Sequence, residues 1–242
     1  MIMERIIRDS VEEMPYFASK LEQRDLEGYR DMNPLFPFII SGGSNTERWY
    51  FNHISSKTNY KFNIYPQFFG NEANYTEEFP IRINKILRLH SDAVIYCVFD
   101  WETIHNDNSK EKPLLKKHQI FKNKLKGNSN VILCPSMPCI EYWFLLHFKN
   151  TTRLIKSCKN VCGQLADVMK DCFDNPNIKF SKLLKQNKYL EDSSWVEKLC
   201  ANGKLQLAIQ RAEDNIQNAL ASNDLENQSF SFVYIIFKNY PL

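Results

Sequence analysis

Four short apolar runs punctuate the chain, and a stretch with helical spacing follows each of them. Phe38-Ile39-Ile40-Ser41 is continuous and runs into Gly42-Gly43. Lys61–Tyr65 alternates between polar and apolar positions. Ala93-Val94-Ile95-Tyr96-Cys97-Val98-Phe99 is the strongest run, β-branched and aromatic, and it stops at Asp100. Asn130–Cys134 is the fourth. Such runs predict strands, and continuous rather than alternating ones predict burial on both faces. Between them, Ser44-Asn45-Thr46-Glu47 has the form of a capping box and opens a helix through about Lys57. Glu77–His90 carries Ile83, Ile86, Leu87 and His90 at helical spacing. Pro113–Lys126 starts on proline and is followed by Gly127. Pro138–Phe148 is apolar nearly all round, which predicts a buried helix. Strands and helices alternating in this order predict a parallel α/β sheet with right-handed crossovers.

Beyond Asn150 the strand signal ends. Residues 152–172, 179–191 and 195–222 read as helices, and Phe230–Phe237 as a last aromatic segment, helix or strand. Residues 3–30 read as one or two polar helices that end at Asp31-Met32-Asn33-Pro34. The chain thus divides into an N-terminal helical extension (1–36), an α/β core (37–150) and a mainly helical C-terminal region packed on it (151–242).

Composition narrows the classes. The 43% hydrophobic and 13% aromatic content excludes a disordered chain. A net charge of +3 excludes a protein that coats DNA by global charge. The N-terminus mixes acids and bases without an apolar core, so it is not a signal peptide. No run of about 18 apolar residues exists, so no membrane span is expected and a cytoplasmic protein is. The 7 cysteines are odd in number and scattered, which predicts free thiols. Cys158-x-x-x-Cys162, with Cys172 nearby, lacks a histidine or second cysteine pair at suitable spacing, which argues against structural zinc.

Parallel α/β sheets bind ligands at the carboxyl ends of their strands. Three strand ends here deliver acids: the first into Gly42–Glu47, the third into Asp100-Trp101-Glu102, the fourth into Pro138-Cys139-Ile140-Glu141. In an extended segment Asp100 and Glu102 point the same way. Such a pair suits a hard cation such as Mg²⁺, or serves only as turn and cap acids. Trp101 between them can stack on a base or cover the sheet edge. Glu47 reaches back to the cap amide of its helix, or faces an anion at the helix start. Glu141 is favoured in a first turn by the helix dipole, and on a buried helix it needs a polar neighbour. His147, about 240° further round that helix, does not share its face and reads as a dipole-stabilising C-terminal residue.

These blocks carry a family resemblance. Phe38–Phe51, with Gly42-Gly43-Ser44-Asn45-Thr46-Glu47 and Tyr50-Phe51, resembles the opening motif of the RloB family. That motif is an apolar strand, Glu-Gly, two variable residues, Thr-Glu and a nearby Tyr-Phe. Val98-Phe99-Asp100-Trp101-Glu102 resembles the family's Phe-Asp-x-Asp. Ser136–Phe148 resembles its Asn-Pro-Cys-Phe-Glu-x-Trp-Leu-Leu-Leu-His-Phe signature and is the closest match. The tail near Asn227–Phe237 weakly resembles the closing Asn-Pro-Ser-Thr-x-Val, with Gln228 for Pro. The resemblance implies a Toprim-like parallel sheet flanked by helices. It implies a nuclease of bacterial anti-phage defence, found beside restriction and abortive-infection loci. Asp100 and Glu102 would then hold Mg²⁺ or Mn²⁺, and Glu47, Glu141 and Asp100 would be the catalytic acids. Two departures matter. Gly42 stands where the family has its first Glu, and Glu102 where it has the second Asp; Met137 also replaces the Asn before Pro138. A catalytically degenerate module that binds nucleic acid or a defence partner without cutting is the alternative.

The charge is unevenly laid out. Lys110–Lys126 holds seven lysines and one acid, Glu111. Four further lysines fall at 179, 182, 185 and 188. Both read as solvated helix faces or as basic walls for a phosphate backbone. The first run directly follows Asp100-Trp101-Glu102. Lys116, Lys117, Lys122 and Trp101 are therefore the candidate nucleic-acid contacts.

Overall fold

The computed structural model describes residues 32–43, 45–65, 75–173 and 180–240. The polar helices expected over 3–30 lie outside them. By its contacts the chain divides into two units, Met1–Pro34 and Leu35–Leu242. All the elements described below lie in the second.

Five strands form one sheet: β1 (Phe38–Ser41), β2 (Asn63–Tyr65), β3 (Ile95–Asp100), β4 (Val131–Met137) and β5 (Phe230–Ser231), in the order β2-β1-β3-β4-β5. The first four are parallel and β5 is antiparallel to β4. This is the α/β architecture that the apolar runs predict. The cause is visible in β1 and β3: every residue of β1 is buried, and in β3 only Asp100 is not. Helices cover both faces, so neither strand has a wet side to alternate toward.

Helix α1 (Thr46–Lys57) links β1 to β2, and α2 (Tyr75–Leu89) precedes β3. Helices α3 (Glu102–His105) and α4 (Pro113–Lys124) link β3 to β4. Helix α5 (Ile140–Leu146) follows β4. The C-terminal part holds α6 (Cys158–Val168), α7 (Phe180–Leu183), α8 (Asn187–Leu190), α9 (Ser194–Cys200), α10 (Lys204–Ala221) and α11 (Tyr234–Lys238). The long helices expected over 152–172 and 195–222 are thus broken into shorter ones.

Three expectations change. A strand does occur beyond Asn150: β5 pairs Ser231 with Ser136 and Phe230 with Met137. The aromatic tail is strand and then helix, not one or the other. Its two paired residues are too few to show a period. Strand β4 also runs past Cys134 through Pro135, whose carbonyl accepts Phe232 N–H at 2.9 Å. Proline lacks only the donor, so it can stay in register with Phe99 of β3 while its carbonyl accepts on the other side. Finally, α1 starts one residue later than a Ser44 cap implies. Asn45 is the N-cap and makes no side-chain cap bond. Its amide donates instead to the Lys185 carbonyl at 3.3 Å, and Thr46 Oγ1 donates to the Leu184 carbonyl at 2.6 Å. The C-terminal region therefore fixes the start of α1.

Helix α5 is buried on all sides, as its sequence requires: all seven residues are covered. It packs on β4, β5, α6 and α10. Trp143 donates to Tyr50 Oη at 2.8 Å and stacks on Phe237 with ring centroids 5.6 Å apart. His147 follows this helix and is itself buried. Its Nδ1 lies 3.0 Å from the Trp143 carbonyl, while Nε2 has no hydrogen-bond partner. Burial, against the opposing effect of that carbonyl and with Lys204 and Arg211 adding to it, pushes its pKa from 6.5 down to about 3. His147 is therefore neutral at physiological pH and brings no charge to the helix dipole, contrary to expectation. The unfolded chain takes up a proton near pH 6.5 that the fold refuses. Stability is thus complete above about pH 6.5 and is lost as pH falls toward 3, by up to about 1.4 kcal/mol per pH unit. His147→Phe is expected to flatten this slope between pH 6.5 and 4.5, read by thermal unfolding beside the wild type.

Candidate metal-ion site at the strand ends

The strand order reverses between β1 and β3, since β1 leads outward to β2 and the chain then returns to β3. A crevice opens at such a switch point, beyond the carboxyl ends of the strands. Each candidate acid is delivered there by a short local device.

Asp100 is the last residue of β3. Its Oδ1 accepts the Ile140 N–H at 2.9 Å, at the start of α5. The β3–β4 pairing continues past the strand, with Trp101 N donating to the Ser136 carbonyl at 2.8 Å and Glu102 N to that of Pro138 at 3.0 Å. This zipper carries Pro138-Cys139-Ile140 alongside Asp100. The chain turns helical at Trp101, so Asp100 and Glu102 are not alternate residues of one extended segment. Glu102 opens α3, and its Oε2 accepts the Cys158 N–H at 3.0 Å, at the start of α6. Both carboxylates thus sit at helix N-termini, where negative charge is favoured. Each keeps one oxygen outside these bonds, Asp100 Oδ2 and Glu102 Oε1.

Glu47 and Glu141 are both buried. Glu47 lies in the first turn of α1 and folds back over Gly43. A Cβ built on Gly43 would overlap its carboxylate. Gly43 is thus a cradle, which the glycine pair alone does not reveal. Gly43→Ala is expected to displace the Glu47 carboxylate. The expected loss of any activity that uses Glu47 is about tenfold to a hundredfold, the usual consequence of an ångström-scale misplacement. Unfolding and metal titration of the same variant separate that loss from misfolding.

Gly42 differs. A Cβ there would meet Phe99 Cβ at 3.5 Å and the Val98 carbonyl at 3.8 Å, ordinary contacts. Its backbone does not demand glycine, and a side chain at this position would meet no steric bar at Cβ.

Three other carboxylates act on Asp100. Partial desolvation at the half-buried end of β3 raises the pKa of Asp100 well above its ordinary value, and the charges of Glu47, Glu141 and Glu102 raise it further against the opposing Ile140 hydrogen bond. The charges that act on Asp100 are all negative. A set of like charges of this kind is relieved by a cation or by protonation.

Thiols line the other side of Glu141. Cys158 Sγ donates to Glu141 Oε2 at 3.3 Å. Cys139, Glu141 and Cys158 place one ligand atom each within 4.8 Å of one another, the one such group of three or more among the described residues. Glu141 therefore has the polar partner its buried helix demands. Cys139 was hidden from a search by local spacing, because it lies 19 residues before Cys158 and only the sheet zipper brings it there.

The candidate nucleic-acid contacts are less concentrated. Trp101 is half-buried and packs edge-on against His118, ring centroids 4.7 Å apart. It covers the sheet edge more than it presents a free face. With His118, Lys122, Lys126, Leu133 and Phe232 it lines a cavity of about 600 Å³. Lys117 pairs with Glu77 of α2 at 3.1 Å. Lys116 and Lys122 are exposed on α4.

Fold and site together define an α/β protein with a mostly parallel sheet and an acidic, thiol-flanked edge at its strand ends. The chain belongs to the RloB-like protein family, whose model matches residues 38–239. No curated protein and no solved structure gives a match. Among the described residues, no helix is long and apolar enough to cross a membrane.

Proposed function

We propose that this RloB-like protein is a metal-dependent nuclease of bacterial anti-phage defence, acting in the cytoplasm. The observation that supports this reading is that the charges of Glu47, Glu141 and Glu102 all act on Asp100 at the end of β3. Asp100 Oδ2 and Glu102 Oε1 would hold Mg²⁺ or Mn²⁺. When bound, such an ion offsets charge on a phosphodiester and its leaving oxygen. Glu47 and Glu141 would move protons at the attacking and leaving oxygens. Exposed Lys116 and Lys122 would contact backbone phosphate.

A second reading is favoured by one residue. Gly42 stands at the family's first acid and supplies no side chain. A binding module that does not cut would keep the same acidic edge and hold nucleic acid or a defence partner. The two are separated by incubating the chain with labelled DNA and RNA, with Mg²⁺ or Mn²⁺ and then with EDTA. Metal-dependent shortening supports the nuclease. Salt-sensitive binding that survives EDTA, without shortening, supports the module.

A further inference from the structure

We propose that Cys139, Glu141 and Cys158 form a binding site for a thiophilic divalent ion of the Zn²⁺ class, separate from the oxygen ligands of Asp100 and Glu102. The three ligand atoms lie within 4.8 Å of one another, and the Cys158 Sγ to Glu141 Oε2 distance is 3.3 Å. A tetrahedral ion with Zn–S bonds of about 2.3 Å holds its ligands about 3.5–3.8 Å apart. The Cys158–Glu141 pair thus already stands at nearly that spacing, and Cys139 Sγ lies within 4.8 Å of both. Thiolates select Zn²⁺ over Mg²⁺, and two sulfurs with a carboxylate make a soft, anionic set.

The surroundings favour a cation further. Cys139 and Glu141 are buried, and Cys158 is half-buried and gives access from solvent. Cys158 also interacts with Cys139 and with Cys162, which lies one turn along α6. Cys162 is therefore positioned to orient Cys158 from behind. Cys139 feels the charges of both Glu141 and Asp100. Three protein ligands leave a fourth position open, as in zinc sites that keep a water or substrate. The fold supplies what chain spacing lacks: the second thiol comes from the β4–α5 junction and not from α6.

The test uses the full chain, reduced and stripped by chelator, titrated with Co²⁺ in the absence of nucleic acid. The expected result is one tightly bound Co²⁺ with thiolate-to-cobalt charge-transfer absorption, displaced by Zn²⁺ and not by Mg²⁺. Cys158→Ser and Cys139→Ser should each remove at least half of that absorption. Glu141→Gln should keep it but weaken Co²⁺ affinity by tenfold or more. Cys200→Ser on α9 and Asp100→Asn should leave it unchanged. Circular dichroism of each variant identifies any that fails to fold, and Glu141→Gln then carries the test. Absence of the charge-transfer band in the wild type, or a band insensitive to Cys139 and Cys158, overturns the proposal. Because the band is read without substrate, its failure and failure of the cleavage reading are separate results.

Discussion

Gly42→Glu is expected to raise metal-dependent cleavage by about 10²-fold or more. Positioned general acid–base catalysis contributes roughly 10²–10⁴-fold, and this chain has Gly42 where the resemblance to the RloB motif implies an acid at the end of β1. The structure removes the steric objection. A Cβ at Gly42 meets only ordinary contacts, with Phe99 Cβ at 3.5 Å as the nearest. Gly42 N–H already donates to the Val98 carbonyl at 2.9 Å, and that bond does not depend on the side chain. The gain should appear in the cleavage rate at saturating substrate and not in binding. A Gly42→Gln control has the same length without the proton and should stay near the wild-type rate. Equal rates for Glu, Gln and glycine at this position would mean that Glu47 or Glu141 has taken over the role.

Asp100→Ala is expected to lower cleavage by roughly 10²–10³-fold. This follows from the loss of several kcal/mol of metal-borne charge stabilisation at 1.36 kcal/mol per tenfold. Asp100→Asn should do the same while folding at least as well as the wild type. It keeps an oxygen for the Ile140 N–H and removes one negative charge from a set in which Glu47, Glu141 and Glu102 all oppose that charge. A variant that is inactive yet melts no lower than the wild type is difficult to explain by misfolding. If instead Asp100→Asn leaves cleavage intact, Asp100 is a structural cap for α5 and the metal site lies elsewhere.

The strands were legible because burial on both faces leaves a continuous apolar signature, clearest in Ile95–Phe99. The acids were legible because the strand-end rule points to sequence positions directly. What stayed hidden depends on contacts between distant segments. Asn45 and Thr46 donate to the carbonyls of Lys185 and Leu184, so the start of α1 is set by tertiary bonds and not by a Ser44 cap. β5 is two residues long and exists only because β4 offers an edge. Cys139 meets Cys158 only after Trp101 and Glu102 zip the β4 exit onto β3. His147 reads as a charged C-terminal residue until the packing of α5 buries it. Trp101 could stack on a base or cover the sheet edge, and only the packing of His118 against it favours the second.

In the proposed function the acidic strand-end edge cleaves phosphodiesters with the help of a divalent ion. Single-turnover cleavage by the unmodified chain, with Mn²⁺ and with EDTA in otherwise identical mixtures, tests it most directly. Product that forms with Mn²⁺ or Mg²⁺ and stops on addition of EDTA is the predicted result. Product formed at the same rate in EDTA, or no product from DNA or RNA with either ion, would contradict it.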